Sequence, residues 1–139
     1  DYTVTWSNNS SKNVGSYTVT ITGKGNYIGT TKATYQINPK GTSLKKPKKA
    51  KKAITVKWKR QVAKMSKSRI TGYQIQLATD KKFTKNRKTV NVKGYKKVSR
   101  KVKKLKAKKK YYIRIRTYKT ISGKNYYSGW SKVKTAKTR

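Results

Sequence analysis

Side chains able to carry acid–base, nucleophilic or metal chemistry are nearly missing from this sequence. Its 139 residues include no His and no Cys, and its two acidic residues are Asp1 and Asp80. Nucleophile–imidazole arrangements and zinc, iron or copper sites therefore lack their side chains, and a paired-carboxylate mechanism would need both acids. Asp80 precedes Lys81-Lys82 in a predicted turn, where its default role is to cap the turn or to form a local ion pair. We predict no enzyme, and no catalytic, metal-binding or cofactor-binding residue.

Tyr and Arg alternate along one segment near the end of the sequence. In a strand, Tyr112, Arg114, Arg116 and Tyr118 share one face. The prediction places them on an exposed sheet surface, with Gln74 and Gln76 from a neighbouring strand. Because Tyr and Arg are enriched at interfaces, such a strip could bind a partner by stacking and cation–π contacts. The alternative is a solvated face on which Tyr and Arg cover each other.

Aromatic residues also collect in the segment Ser122–Trp130, which we read as a loop. Tyr126, Tyr127 and Trp130 stand beside Asn and Lys there, a composition that could hold a sugar ring if the rings are exposed. The alternative is that these rings fold back on the edge of a sheet. Exposure of the three rings separates the two interpretations.

The positive charge is large and unevenly distributed. The chain carries 40 Lys and Arg against two acids, a net charge of +38. Residues 1–39 contribute only three Lys and Asp1, so the remaining residues carry 37 basic side chains and one acid, or +36. This shift in composition predicts a domain boundary near Asn38 and Pro39.

Basic runs at residues 45–52 and 101–110 predict non-specific affinity for polyanions at low salt. Lys outnumbers Arg 33 to 7, whereas readout of base edges favours Arg, and no nucleic-acid-binding signature is present. We therefore predict no sequence-specific nucleic-acid binding. An anionic cell-wall polymer such as teichoic acid is a better candidate, and a solvated surface with no dedicated ligand is an equal alternative. No segment is apolar enough to predict a membrane span.

Period-2 alternation of apolar and polar residues dominates the whole chain and predicts β-strands. Three such runs fall within residues 1–39, too few to form a domain by themselves. The later part contains further runs separated by turn signals at the intervals of a β-sandwich. The apolar residues of these later runs are Ile54, Val56, Trp58, Tyr73, Ile75, Leu77, Val90, Val92, Val98, Val102, Tyr111, Ile113, Ile115 and Val133.

Three motifs in residues 40–139 resemble a fibronectin type III domain over nearly the whole segment. Ile54–Trp58 is similar to the second strand of that family with its core Trp, and Gly72–Gln76 to the third strand with its core Tyr. Leu105 followed by Tyr111 is similar to the tyrosine corner, although Ala107-Lys108 replaces the usual Pro-Gly. The resemblance implies a seven-stranded sandwich whose core holds Trp58, Tyr73, Leu105, Tyr111, Ile113 and Ile115.

The first segment resembles the C-terminal half of an Ig-like β repeat of bacterial surface proteins. The matching stretches are Asp1–Val4, Asn8-Asn9 and Ile21–Thr30. The predicted organisation is a truncated Ig-like repeat at 1–38, a basic linker with a first strand region at 39–52, and a type III sandwich at 53–139. Because the chain begins with Asp and shows no signal peptide, we read it as a fragment or processed form.

These resemblances imply a function without catalysis. Modules of this kind usually serve as spacers, stalks or adhesive arrays, so we expect a structural or adhesive module of a bacterial cell-surface or secreted protein. The expected location is extracellular or associated with the cell wall. The expected partner is an anionic wall polymer, or a glycan or protein at a cell surface. The alternatives are a polyanion-binding module and a carbohydrate-binding appendage of a secreted glycan hydrolase.

Overall fold

A computed structural model describes residues 2–6, 15–23, 30–63 and 69–139. Every regular element among these residues is a β-strand, so the all-β prediction is confirmed. The chain divides into two compact units, Asp1–Asn38 and Pro39–Arg139.

Three strands form the described part of the first unit. They are β1 (Tyr2–Trp6), β2 (Gly15–Gly23) and β3 (Thr30–Ile37), and they form an antiparallel sheet in the order β1-β2-β3. Their register pairs Val4 with Ile21 and Val19 with Ala33, so apolar positions stand opposite each other as the alternation predicts. Of the stretches that carry the resemblance of this segment, Asp1, Asn8-Asn9 and most of Ile21–Thr30 lie outside the described residues.

The second unit is a sandwich of two antiparallel sheets, as predicted. Its strands are β4 (Lys48–Ala50), β5 (Ala53–Lys57), β6 (Gly72–Ala78), β7 (Lys88–Lys93), β8 (Ser99–Val102), β9 (Lys110–Ile121), β10 (Lys124–Tyr127) and β11 (Lys134–Lys137). The larger sheet has the order β10-β9-β6-β7, with β11 also paired to β9, and the smaller sheet has the order β4-β5-β8.

The core lies between the two sheets and contains the residues that the sequence predicts for it. Trp58, Tyr73, Ile113 and Ile115 have no exposed surface, and Tyr111 is 2% exposed. The Trp58 indole packs on the Tyr73 ring with the centroids 5.2 Å apart, and its Nε1 donates to the Lys97 carbonyl at 2.9 Å. Burying both rings stabilises the sandwich because the one polar atom of the indole has a partner.

The tyrosine corner is also present. The Tyr111 hydroxyl accepts a hydrogen bond from the Lys106 backbone N–H at 2.9 Å, and Leu105 is 5% exposed beside it. Lys108 has a left-handed backbone with φ of 51°, at the place where the family usually has Gly. The corner therefore forms without Pro-Gly, although a residue with a Cβ is unfavourable in this conformation.

The predicted loop Ser122–Trp130 is wrong in its first half. Lys124–Tyr127 form β10, which pairs with β9 through a two-residue turn. Ser122 and Gly123 in that turn have φ of 50° and 79°, as a tight hairpin requires. The described sandwich therefore has eight strands where the resemblance implies seven, because β10 is an additional strand along β9. The residues between β10 and β11 run beside β9 and place Trp130 on the outer face of the larger sheet. This segment builds the candidate site.

Candidate functional site

The Tyr–Arg strip lies on the outer face of the larger sheet, where strand alternation directs it. In β9 the odd-numbered positions from Tyr111 to Thr117 are buried and the even-numbered positions lie on the opposite face. Antiparallel pairing with β6 puts Gln76 opposite Arg114 and Gln74 opposite Arg116. The register therefore aligns two arginines on β9 with two glutamines on β6.

Each of the two arginines stacks against two aromatic rings. The Arg114 guanidinium carbon is 4.1 Å from the Phe83 ring centroid and 4.2 Å from that of Trp130. The Arg116 guanidinium carbon is 4.3 Å from Trp130 and 3.8 Å from Tyr127. Rings and guanidinium groups therefore alternate in the order Phe83, Arg114, Trp130, Arg116 and Tyr127, which we call the Arg–aromatic stack. Planar guanidinium groups favour this arrangement because both of their faces are weakly hydrated.

Neutral amides hold the guanidinium groups from the side. Arg116 Nε donates to Gln74 Oε1 at 2.7 Å, and Arg114 donates through Nε at 2.9 Å and through a second nitrogen to Gln76 Oε1. Each glutamine passes the connection on to β7, because Gln74 Nε2 donates to Asn91 Oδ1 at 3.1 Å and Gln76 Nε2 to Thr89 Oγ1 at 3.3 Å. The two charges are thus bound by dipoles and ring faces, with no carboxylate involved.

Two serines bring Trp130 over the sheet. Ser128 and Ser131 donate their backbone N–H groups to the carbonyls of Thr117 and Ile115, at 3.0 and 2.8 Å. Their hydroxyl oxygens accept the N–H groups of the same two β9 residues, at 2.9 and 3.1 Å. The serine hydroxyls thereby accept the two β9 N–H groups that carbonyls of a regular neighbouring strand would otherwise accept. The backbone between the serines departs from strand geometry, and Trp130 lies over the arginines.

A capped turn supplies the other end of the stack. Asp80 accepts hydrogen bonds at Oδ1 from the N–H groups of Thr84 and Lys85, both at 2.9 Å, so its predicted role as a turn cap is confirmed. The Thr84 hydroxyl also donates to Oδ2 at 2.5 Å, and this side-chain hydrogen bond is the main cause that holds the pKa of Asp80 below its usual value. Inside this turn Phe83 has φ of 57°, unusual for an aromatic residue, and burial of its ring to 2% exposure against Arg114 offsets that cost.

The prediction that this strip is exposed is wrong for several of its residues. Tyr118 is 9% exposed, and Gln74 and Gln76 are each 8% exposed. Tyr126, which lies outside the strip on β10, is 8% exposed as well. The physical reason is that Trp130 and Tyr127 close over the strip, and Gly72 leaves room beneath Tyr118. A Cβ at Gly72 would lie 2.9 Å from the Tyr118 hydroxyl and 2.3 Å from the Val92 carbonyl oxygen.

The remaining site predictions have mixed outcomes. Tyr112, Arg114, Arg116, Tyr127 and Trp130 are half-buried. Tyr112 lies at the start of the strip with the Lys110 ammonium 5.3 Å from its ring centroid, away from the stack. The three rings of the predicted sugar-binding loop do not form an exposed platform, because one is buried and the other two stack on arginines. A role of these residues in binding a partner stays a prediction.

Burial shifts the ionisation of the strip. It lowers the pKa of Arg114, to which the nearby Arg87 adds, and it lowers the pKa of Arg116. Since the ordinary value lies near 12 or above, both groups stay charged at physiological pH. Burial also raises the pKa of Tyr118, and the neighbouring Tyr127 adds to that shift. The site thus presents fixed positive charge and neutral phenols, a combination that suits packing and offers no general base.

Sequence reasoning missed Phe83 and the serine pair. Ser128 and Ser131 flank Trp130 at a spacing of three, and together with the alternating arginines this spacing is a detectable signal. Phe83 gives no such signal, because it lies in a polar turn and meets Arg114 only in the folded sandwich.

Two basic grooves run along the open sides of the sandwich. The groove between β7 and β8 has a volume of about 530 Å³ and is lined by Lys88, Val90, Arg100, Lys101, Val102, Lys103 and Lys104. The groove between β4 and β11 has a volume of about 400 Å³ and is lined by Lys46, Pro47, Lys48, Lys49, Thr135, Ala136, Lys137 and Arg139. Cations therefore occupy both sides of the molecule.

The part of the chain that the structure describes offers little other chemistry. Across residues 2–6, 15–23, 30–63 and 69–139, no three His, Cys, Asp or Glu residues come together as metal ligands. Within those same ranges, no helix is long and apolar enough to cross a membrane.

Comparisons with solved structures agree on the fold. The FN1–FN3 domains of chicken CNTN1 are 22% identical, with a TM-score of 0.58 over 91% of this chain and 42% of that chain. The fibronectin type-III domain of human fibronectin type III domain containing protein 3 is 18% identical, with a TM-score of 0.53 over 75% of this chain and 89% of that one. A β-1,2-glucanase from Parabacteroides distasonis is 18% identical, with a TM-score of 0.52 over 85% of this chain and 17% of the enzyme.

The family comparison is specific to the second unit. No curated protein matches the chain. The family model for the fibronectin type III domain matches residues 37–134, which include β4 to β10 and the first residue of β11. The chain therefore belongs to the fibronectin type III family.

Proposed function

We propose that the chain is a non-catalytic structural or adhesive module of a bacterial cell-surface or secreted protein, acting as a spacer or as a wall-associated module. Its location is extracellular or in the cell wall, and residues 1–38 are the C-terminal half of an Ig-like surface-protein repeat. The sandwich keeps neighbouring domains at a distance, while its positive charge holds it against an anionic wall. Membership of the fibronectin type III family supports the non-catalytic part of this proposal.

The observation that carries the proposal is the position of cations on the outer strands. In β4, β7, β8 and β11 a basic residue stands opposite a core residue of the neighbouring strand, on the inward side of the sheet. The pairs are Lys49–Ile54, Lys88–Leu77, Arg100–Val56 and Lys134–Ile113. An inward-pointing charge blocks edge-to-edge pairing with another sheet, which modules packed closely at a surface must avoid.

The charge supports the wall-associated part of the proposal. Cations line both open sides of the sandwich, and Asp80, the one side-chain acid among the described residues, is already bound by Thr84 and Lys85. Such a surface attracts polyanions over about a Debye length of 8–10 Å at moderate salt. The competing function, a polyanion-binding module for nucleic acid or acidic glycan, shares this attraction and differs in its preferred ligand.

Co-sedimentation with Gram-positive cell walls tests the proposal. The purified chain is spun with walls that retain or lack teichoic acid, from about 50 to 500 mM salt, with DNA as competitor. We expect binding that requires teichoic acid, persists at physiological salt and resists DNA. Equal binding to stripped walls, or equal displacement by DNA, would overturn wall association and leave a generic polycation.

A further inference from the structure

The groove between β7 and β8 is the more open side of the sandwich. On the opposite side the backbone joins β4 to the residues after β11, because Arg139 N–H donates to the Ala50 carbonyl at 3.0 Å and Lys52 N–H donates to the Arg139 carbonyl at 3.1 Å. Across the β7–β8 side the link is a flexible side chain, since the Lys88 ammonium donates to the Lys103 carbonyl. A ligand can displace such a side chain without breaking a sheet.

Basic residues line this groove along both of its edges. Lys88 comes from β7 and Arg100 from β8, where Arg100 stands opposite Val56 on the core side of the sheet. Lys101 also lines the groove but stands opposite Thr55, on the outer side of the smaller sheet. Lys103 and Lys104 follow directly, and Lys104 has φ of 59°, which turns the backbone at the mouth of the groove. All of these except the half-buried Lys88 are exposed. Five like charges around one cavity repel each other, and a bound anion relieves that repulsion.

The lining also restricts the kind of anion. It contains no aromatic side chain, whereas proteins that hold single-stranded nucleic acid stack the bases on aromatic rings. The one apolar lining residue with appreciable exposure is the half-buried Val90, since Val102 is 2% exposed. Val90 can contact a short hydrocarbon unit while the ammonium groups contact phosphates. The anion that fits these properties of the groove is a flexible chain of phosphodiesters joined by small polyol units.

We infer that the groove between β7 and β8 seats a flexible polyol-phosphate chain, an inference that rests on the proposed association with an anionic wall. The total charge alone would favour neither side of the sandwich and no particular polymer, whereas we assign the binding to one side and to one polymer. The side between β4 and β11, although equally basic, does not seat the polymer.

Two variants with matched charge test the inference. In the groove variant, Lys101, Lys103 and Lys104 are replaced by Gln. In the control variant, Lys46, Lys48 and Lys137 of the opposite groove are replaced by Gln. Each variant removes three exposed lysines and lowers the net charge by three. Thermal unfolding verifies that both remain folded. An attraction that depends only on net charge affects the two equally.

The measured quantity is the Kd of each full-length variant for synthetic poly(glycerol phosphate) of about 10 repeats at about 150 mM salt. We expect the groove variant to lose at least about tenfold in affinity and the control variant less than about threefold. The slope of log K against log salt should fall by about 2 for the groove variant, because each phosphate contact on a flexible strand contributes about 0.7. Equal losses in the two variants would overturn the groove as the seat.

Competing ligands test the polymer. Single-stranded DNA and a heparin fragment with the same number of charges are titrated in parallel. Tighter binding of either one would overturn the polyol-phosphate assignment, in favour of a base-stacking or a sulfated ligand. The outcome is separable from the wall experiment: equal losses in the two variants leave teichoic-acid-dependent sedimentation intact. A chain that binds the synthetic polymer but ignores whole walls contradicts only the proposed function.

Discussion

The outer faces of the two sheets use positive charge in opposite ways. On the larger sheet, Arg114 and Arg116 are half-buried among aromatic rings and glutamine oxygens. On the smaller sheet, Lys48 and Lys101 both stand opposite Thr55 on one face, and both are exposed. Neither face uses a carboxylate. A basic chain almost without acids can therefore still cover one face of a sheet with packed side chains, provided that the cation there is Arg.

The chemical reason lies in hydration. A guanidinium group is planar and weakly hydrated, so it loses little when aromatic rings cover its faces. An ammonium group is compact and strongly hydrated, so it stays in water and leaves its face free to meet other ions. The outer face of the larger sheet is therefore covered by packed side chains, and the outer face of the smaller sheet remains accessible to charged partners.

Removal of the central ring should have the largest effect. Trp130→Ala takes away the ring shared by both arginines, and we expect the free energy of unfolding to fall by about 3 kcal/mol. Trp130→Phe should lose less, because a ring remains. Lys57→Ala on the exposed face of the smaller sheet should change stability by less than about 0.5 kcal/mol. Urea denaturation measures all three, and a Trp130→Ala loss as small as that of Lys57→Ala would contradict the stacking role.

Exchanging Arg for Lys on one sheet and Lys for Arg on the other tests whether the kind of cation distinguishes the two faces. Arg116→Lys keeps the charge but loses the planar stack and the short hydrogen bond to Gln74, so we expect a loss of about 1–2 kcal/mol in the free energy of unfolding. The reverse exchange on the other sheet, Lys101→Arg, should stay within about 0.5 kcal/mol. If both exchanges have the same effect, the identity of the cation does not matter and the contrast between the faces is wrong.

The smallest effect concerns pH. Burial raises the folded-state pKa of Tyr118 above the unfolded value near 10. A raised pKa means that the stabilisation is complete below about pH 10 and is lost as the pH rises through the folded-state pKa. Tyr118→Phe should therefore lose less stability than the original chain as the pH rises above about 10. Parallel slopes of stability against pH in this range would show that Tyr118 is not the titrating group.

Much of this architecture could be predicted from the sequence. Alternation located strands such as β9, whose odd-numbered positions from Tyr111 to Thr117 are buried, and Trp58, Tyr73 and Tyr111 occupy the core as expected. The tyrosine corner formed despite Ala107-Lys108, since the hydrogen bond to Lys106 needs the position of Tyr111 and not a particular turn sequence.

The coverage of the Tyr–Arg strip could not be predicted. Alternation assigns a residue to a face but does not say what lies above that face. Trp130 reaches Arg114 only because two serines bond β9 and release the backbone between them. Phe83 arrives from a turn 31 positions earlier in the chain than Arg114, a separation that only the assembled sandwich closes. Contacts of this kind depend on tertiary packing, and of the residues that make them only the serine pair around Trp130 leaves a signal in the sequence.

One titration can record both faces of the sandwich directly. NMR spectra of the ¹⁵N-labelled chain are followed while poly(glycerol phosphate) is added at about 150 mM salt. We expect shifts in the backbone amide signals of Lys101, Lys103 and Lys104, while the side-chain Nε–H signals of Arg114 and Arg116 stay in place. Movement of the two arginine signals with little change at the lysines would contradict this expectation, because the covered face of the larger sheet would then be the one that binds.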